Sequence, residues 1–224
     1  MLRSVLGAPL TQGTPAITIG AITLCLVTFL AQLATREQLT QDWILAPGLV
    51  WHQPWRMVTA GFLHANWIHL GLNLYCLWVV GGFVERLVGR WRFAALYLGS
   101  MLGGHAAVLV YFRLFDFTYG GALSGTLGAS GAVFGVFGAA LILARRLGGD
   151  VRGIATVIAL NLVIGFMGAN ISWQGHLGGL LLGGAIAAVY AYAPPRKRQL
   201  YAVLAVSGVL LLVGLTVVLT VGLI

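Results

Sequence analysis

Seven apolar runs, each without a single Asp, Glu, Lys or Arg, divide this chain: Ala16–Ala34, Ile68–Val84, Phe93–Phe112, Ser130–Ala144, Ile154–Met167, His176–Tyr192 and Leu200–Leu223. A bilayer offers the backbone no water, so each N–H and C=O must be satisfied within the protein, and about 20 apolar residues do so as one spanning helix. The composition agrees. With 59% hydrophobic and 8% charged residues and a mean hydropathy of +0.95, the chain is too apolar for an ordinary soluble domain. The expectation is an all-α membrane protein, a polytopic helix bundle of seven transmembrane helices. The fourth and fifth runs are short: fifteen residues at ~1.5 Å each reach about 22 Å, against a hydrocarbon layer of about 30 Å. Their ends therefore lie within the bilayer depth, or neighbouring loops dip into it.

A net charge of +8 suits nucleic acid only if the cations share a surface, and here they mark topology instead. Arg86, Arg90 and Arg92 follow run two, Arg145, Arg146 and Arg152 follow run four, and Arg196, Lys197 and Arg198 follow run six. With Arg3, they put the N-terminus and these loops in the cytoplasm by the positive-inside rule. The outer loops keep Arg36, Arg56 and Arg113, and seven spans leave the C-terminus outside. The division read from this is a cytoplasmic tail at 1–15, a six-span core at 16–192, a cytoplasmic linker at 193–199 and a seventh helix at 200–224. The first run exceeds a signal-peptide core and no small-x-small cleavage site follows it, so it reads as a retained span. Cys25 and Cys76 lie inside runs one and two, where a disulfide framework is not expected. The sequence sets no oligomeric state.

This topology brings polar residues to a common depth. Runs two, four and six all enter from the outer face, and their first polar residues are His69 with Asn73, Ser130, and His176. His69 and Asn73 are spaced i,i+4 and share one helix face. Polar groups inside a membrane face the bundle interior or a water-filled cavity, and four at one level point to a functional site. A serine hydroxyl becomes a nucleophile when a base takes its proton, and His176 is the natural candidate for that base. The Ser130 N–H, the His69 ring and the Asn73 amide are candidate donors to a developing oxyanion. Glu37, Asp42 and Asp116 are loop residues, and Glu85 and Asp150 belong to the cytoplasmic side, so the expectation is a Ser–His dyad with no carboxylate third member. Phe134, one turn after Ser130, is placed to pack on His176. Gly179 and Gly183 form a small-residue stripe facing Gly131 and Gly135, which lets the two helices close in.

With these residues in view, the chain resembles the rhomboid family of intramembrane serine proteases. The resemblance rests on Trp55-Arg56, on His64 followed by His69 and Asn73, on Glu85 with Gly89, on Gly128-Ala129-Ser130-Gly131, and on His176-x2-Gly179-x3-Gly183, in family order from about Ala16 to Tyr192. It implies hydrolysis of a peptide bond in or near the transmembrane helix of a single-span membrane-protein substrate, Ser130 as nucleophile, His176 as base, and His69, Asn73 and the Ser130 amide at the oxyanion. It also implies a six-plus-one variant of the family's fold, in a bacterial inner membrane, with the active site opening to the outer face and the fifth span gating access. Phe134 stands where the family often has tyrosine. Leu72 and Cys76 stand where some members carry bulky aromatics.

Read singly, the residues are blander. His64 is expected to hydrogen-bond within the first outer loop, Arg56 to bind backbone carbonyls there, Trp51, Trp55 and Trp67 to sit at the interface, and Glu85 to serve structurally at the cytoplasmic end. His52 and His105 show no evident partner. Two rival functions compete with this reading. A catalytically silent, client-binding relative would keep the fold and lose the nucleophile or base. A histidine-lined metal or ion transporter would need an H-E-x-x-H motif, a carboxylate cluster or paired cysteines, none of which the sequence holds. No cofactor or metal is expected.

Overall fold

The computed structural model describes residues 13–167 and 171–221. Arg3, most of the expected 1–15 tail and the last residues of the seventh run lie outside them. The apolar runs fold as α1 (Ala16–Ala34), α2 (Trp67–Val88), α3 (Arg90–Phe115), α4 (Ser130–Arg146), α5 (Arg152–Met167), α6 (Trp173–Tyr192) and α7 (Arg198–Val221). Among the described residues, α1, α2, α3, α6 and the stretch Pro195–Val221 are long and apolar enough to cross a membrane. Helices α4 and α5 have 17 and 16 residues, as their short apolar runs foretold. Among the described residues the fold is therefore all-helical, with five candidate spans by length. Helix α2 carries a π-helical turn at Leu77–Gly81, and a short 3-10 turn at Pro195–Lys197 leads straight into α7, so the connection is shorter than the expected linker.

Glycine sets the packing at the centre, where α3, α4 and α6 meet. A Cβ on Gly104 of α3 would lie 2.6 Å from the Gly175 carbonyl oxygen of α6, and one on Gly178 would lie 2.7 Å from the Gly103 carbonyl oxygen. Between α4 and α6, a Cβ on Gly179 would collide with the Gly131 carbonyl, and one on Gly183 with the Gly135 carbonyl. Membrane helices gain little from hydrophobic exclusion, so close backbone approach supplies the van der Waals contact that holds them. The expected facing of these four glycines is what the structure has. Helix α7 covers α3 and α6, whereas α5 rests lightly on α4 and α6 and, among its described side chains, buries Ile158 alone.

Glu85 is 1% exposed and ties the start of α1 to the end of α2. Its carboxylate accepts the Ile17 N–H at 3.0 Å, the Thr18 N–H at 2.8 Å and the Thr18 hydroxyl at 2.7 Å. Pro15 precedes α1 and caps nothing with its side chain, so a carboxylate from a distant helix fills that role, favoured by the positive end of the helix dipole.

The segment between α1 and α2 is fastened in the same manner. Arg56, 5% exposed, donates from Nη1 to the Gln41 and Ile44 carbonyls at 2.8 and 2.7 Å, and from Nε to Gln53 Oε1 at 2.6 Å. His105 Nδ1 bonds the Met57 carbonyl at 2.8 Å, pinning the segment to α3, a partner that sequence alone did not suggest. Leu45 and Thr126 exchange two backbone bonds, and the Gly128 N–H donates to the Ala60 carbonyl at 2.9 Å. The segment leading into Ser130 is thus laid against the first loop. Trp51, Trp55 and Trp67 are exposed, as interfacial aromatics would be.

Candidate active site

Three helix starts deliver the polar residues to one place. Ser130 is the first residue of α4, His176 lies in the first turn of α6, and His69 in the first turn of α2, whose Asn66 caps the helix by accepting the His69 N–H at 2.9 Å. His176 Nε2 and Ser130 Oγ are 2.8 Å apart, a full hydrogen bond that the close α4–α6 contact makes possible. His176 Nδ1 is buried and has no hydrogen-bond partner among the described residues. The Phe134 ring stacks on the imidazole with centroids 4.3 Å apart.

Gly128 provides the wall between His69 and Ser130. Its φ of +127° lies in the region that side-chain-bearing residues avoid, and a Cβ there would stand 2.7 Å from His69 Cε1, 3.0 Å from His69 Nε2 and 3.6 Å from Ser130 Oγ. The His69 ring edge and the serine hydroxyl therefore flank the same bare α-carbon. The Ala65 N–H donates to His69 Nδ1 at 3.4 Å, so the neutral ring carries its proton on Nε2, the atom facing Gly128. Ser130, as the first helical residue, has a backbone N–H that no helical carbonyl receives.

Asn73 is 6% exposed one turn below His69 and donates one amide N–H to the His69 carbonyl at 2.8 Å, leaving its second amide hydrogen for another acceptor. His64 is 1% exposed; its Nδ1 bonds the Phe62 carbonyl at 3.2 Å, and its ring meets that of His69 edge-on at 5.1 Å. Burial, with His69 alongside, pushes the His64 imidazole down to about 4, so it is neutral near pH 7.

The structure thus gathers Ser130, His176, Phe134, Gly128, Gly131, Gly179, His69, Asn73 and His64, with Gly183 one turn further along the α4–α6 seam. Among the described residues no group of three or more His, Cys, Asp or Glu side chains is arranged to hold a metal. Such an arrangement can take a proton from a hydroxyl and present donors to a nearby oxygen. Gln32, on α1, was not singled out by sequence; a lone carboxamide in an otherwise apolar run was the available signal.

Comparison with known proteins gives the same pattern a family. Residues 51–193 match the family model described as Rhomboid domain. Rhomboid protease GluP of Bacillus subtilis (strain 168) is 36% identical over 165 residues, which cover 68% of this chain and 30% of that protein. Rhomboid protease AarA of Providencia stuartii is 26% identical over 182 residues, 71% of this chain and 60% of its own length. Rhomboid protease GlpG of Serratia proteamaculans (strain 568) is 28% identical over 177 residues, 75% of this chain and 60% of its own. The chain spans less than two thirds of each of these relatives. With the family model matched over more than half its length, the chain belongs to the rhomboid family of integral membrane proteins.

Proposed function

We propose that the protein is an intramembrane serine endopeptidase that cuts single-span membrane proteins in or near their transmembrane helix. The observation that carries this reading is the 2.8 Å bond between His176 Nε2 and Ser130 Oγ beneath a stacked Phe134. Ser130 Oγ attacks the scissile carbonyl carbon while its proton passes to His176 Nε2. The carbonyl oxygen gains the negative charge and meets the Ser130 N–H, the His69 Nε2–H and the free Asn73 amide hydrogen. Collapse of the intermediate expels the amine, which leaves with the proton held by His176. Water, deprotonated by the same imidazole, then hydrolyses the acyl-serine ester. The unpartnered Nδ1 supports a dyad that works without a carboxylate. The names of the relatives, all rhomboid proteases, favour the same chemistry.

The same reading assigns six spans to the core at 16–192 and a seventh at 200–224, with the short α4 and α5 counted as spans. Basic loops set the N-terminus in the cytoplasm and the site open to the outer face of a bacterial inner membrane. A catalytically silent client-binding relative is the alternative, and covalent labelling separates the two. A fluorophosphonate should modify Ser130 in the wild type, located by peptide mapping, and leave Ser130→Ala unlabelled; a wild type that takes up no label would favour the client-binding role. A substrate with a helix-unstable segment near the outer face should be cut and a stable polyleucine helix spared; equal cleavage of both would contradict that preference.

A further inference from the structure

Gln32 is a carboxamide on α1, 3% exposed within a membrane-spanning helix, and the chemistry above gives it no task. An amide left unpaired in such a place is strongly unfavourable, so its partners carry information. Every polar atom of the side chain is used. Oε1 accepts the His64 N–H at 3.0 Å, and Nε2 donates to the His64 carbonyl at 3.2 Å and to Thr40 Oγ1 at 2.8 Å. Two of the three bonds grip both backbone groups of one residue, as the neighbouring strand of a sheet would.

The grip lands on a peptide that itself touches the site. The His64 carbonyl and the Ala65 N–H are two ends of one planar unit. That N–H is the donor to His69 Nδ1 at 3.4 Å. A bond this long orients an imidazole only while the peptide offering it is itself held still. The amide hydrogen that Gln32 gives to the His64 carbonyl also polarises the unit, making the Ala65 N–H a stronger donor at its far end. On the other side, the His64 ring abuts the His69 ring edge-on at 5.1 Å.

We propose that Gln32 is a positioning residue of the oxyanion site: acting through the His64–Ala65 peptide, it fixes the ring orientation of His69 and the tautomer that carries its proton on Nε2. This rests on the reading of His69 as an oxyanion donor. Gln32 touches neither substrate nor reacting atoms, so its loss acts on the transition state through His69 and spares ground-state binding of the substrate helix.

The test is steady-state cleavage of a single-span substrate in liposomes by wild type, Gln32→Leu and Gln32→Asn, with kcat expressed per Ser130 titrated by a fluorophosphonate. Titration removes misfolded molecules from the count, so a merely structural role leaves kcat per site unchanged. Gln32→Leu should lower kcat per site ~tenfold or more with KM within ~twofold, the scale expected when one oxyanion donor is displaced. Gln32→Asn, one methylene shorter, cannot reach both His64 groups and should show a smaller loss of the same kind; it decides the matter if the leucine variant does not fold. Values of kcat per site within ~twofold of wild type, or a rise in KM alone, would overturn the proposal. A wild type with no titratable Ser130 would overturn the hydrolase reading itself, and the proposal with it.

Discussion

The Phe134 ring lies 9° from parallel to the His176 imidazole, with the two centroids 4.3 Å apart. Phe134 follows Ser130 by one helical turn, so the serine hydroxyl and the stacking ring rise from the same face of α4 while the imidazole arrives from α6. The plane of the imidazole is thereby set by the helix that carries its partner.

Phe134→Ala should leave the imidazole free to tilt. A stacked pair is worth about 1 kcal/mol beyond its buried area, so kcat should fall roughly fivefold, while Phe134→Tyr, which keeps the ring, should stay within about twofold. Cleavage rates per titrated Ser130 check this; an alanine variant at full rate would mean that the stack does not hold the base.

Gly179→Ala inserts a methyl group where the Gly131 carbonyl already stands. The α4–α6 seam must open to admit the methyl group, at about 1–3 kcal/mol or more, and Ser130 and His176 separate with it. Unfolding in detergent should begin at lower temperature and cleavage should be lost. Gly208→Ala, at a position where an added Cβ meets nothing within 4 Å, is the comparison that should change neither.

Glu85→Ala removes the acceptor of three hydrogen bonds at the start of α1. Charge-assisted bonds of this kind are worth about 1.5–3 kcal/mol singly, and with three of them lost, stability should fall by roughly 4 kcal/mol or more. Glu85 and His69 are separated by almost the full length of α2, so kcat per titrated site should hold. Loss of kcat at unchanged stability would place Glu85 in the chemistry instead.

His64 gives stability a pH dependence of known sign. Its imidazole titrates near 6.5 when unfolded and is pushed down to about 4 by burial in the folded protein. Between those values the unfolded chain binds a proton that the folded chain refuses, so stability falls as pH drops from 6.5 towards 4, by up to about 3 kcal/mol, and levels off on either side. His64→Asn has nothing to titrate and should lose that part of the slope. Unfolding measured across pH 4–7 for both proteins decides it.

Much of this was legible in the sequence because membrane helices announce themselves by uninterrupted apolarity. The i,i+4 spacing of Ser130 with Phe134, and of His69 with Asn73, needs only helical geometry. The glycine seam is legible for the same reason, given α4 and α6 as neighbours. Contacts made outside helical periodicity were not. Gln32 finds its partner in an irregular segment 32 residues away, and His105 meets a Met57 carbonyl 48 residues away. Glu85 was read as a structural residue at the cytoplasmic end, yet its partners on α1, 67 and 68 residues away, depend on how two helices lie side by side. Backbone groups carry no residue code, so no pattern in the chain marks which carbonyl or N–H a side chain will seek.

The most direct measurement is cleavage of a single-span substrate by purified protein in liposomes, comparing wild type with Ser130→Ala and His176→Ala. Wild type should cut and each substitution alone should remove nearly all activity, because a nucleophile and its base act as one unit and losing either costs about as much as losing both. Continued cleavage by Ser130→Ala, or a His176→Ala variant that still cuts at a rate near wild type, would contradict the dyad.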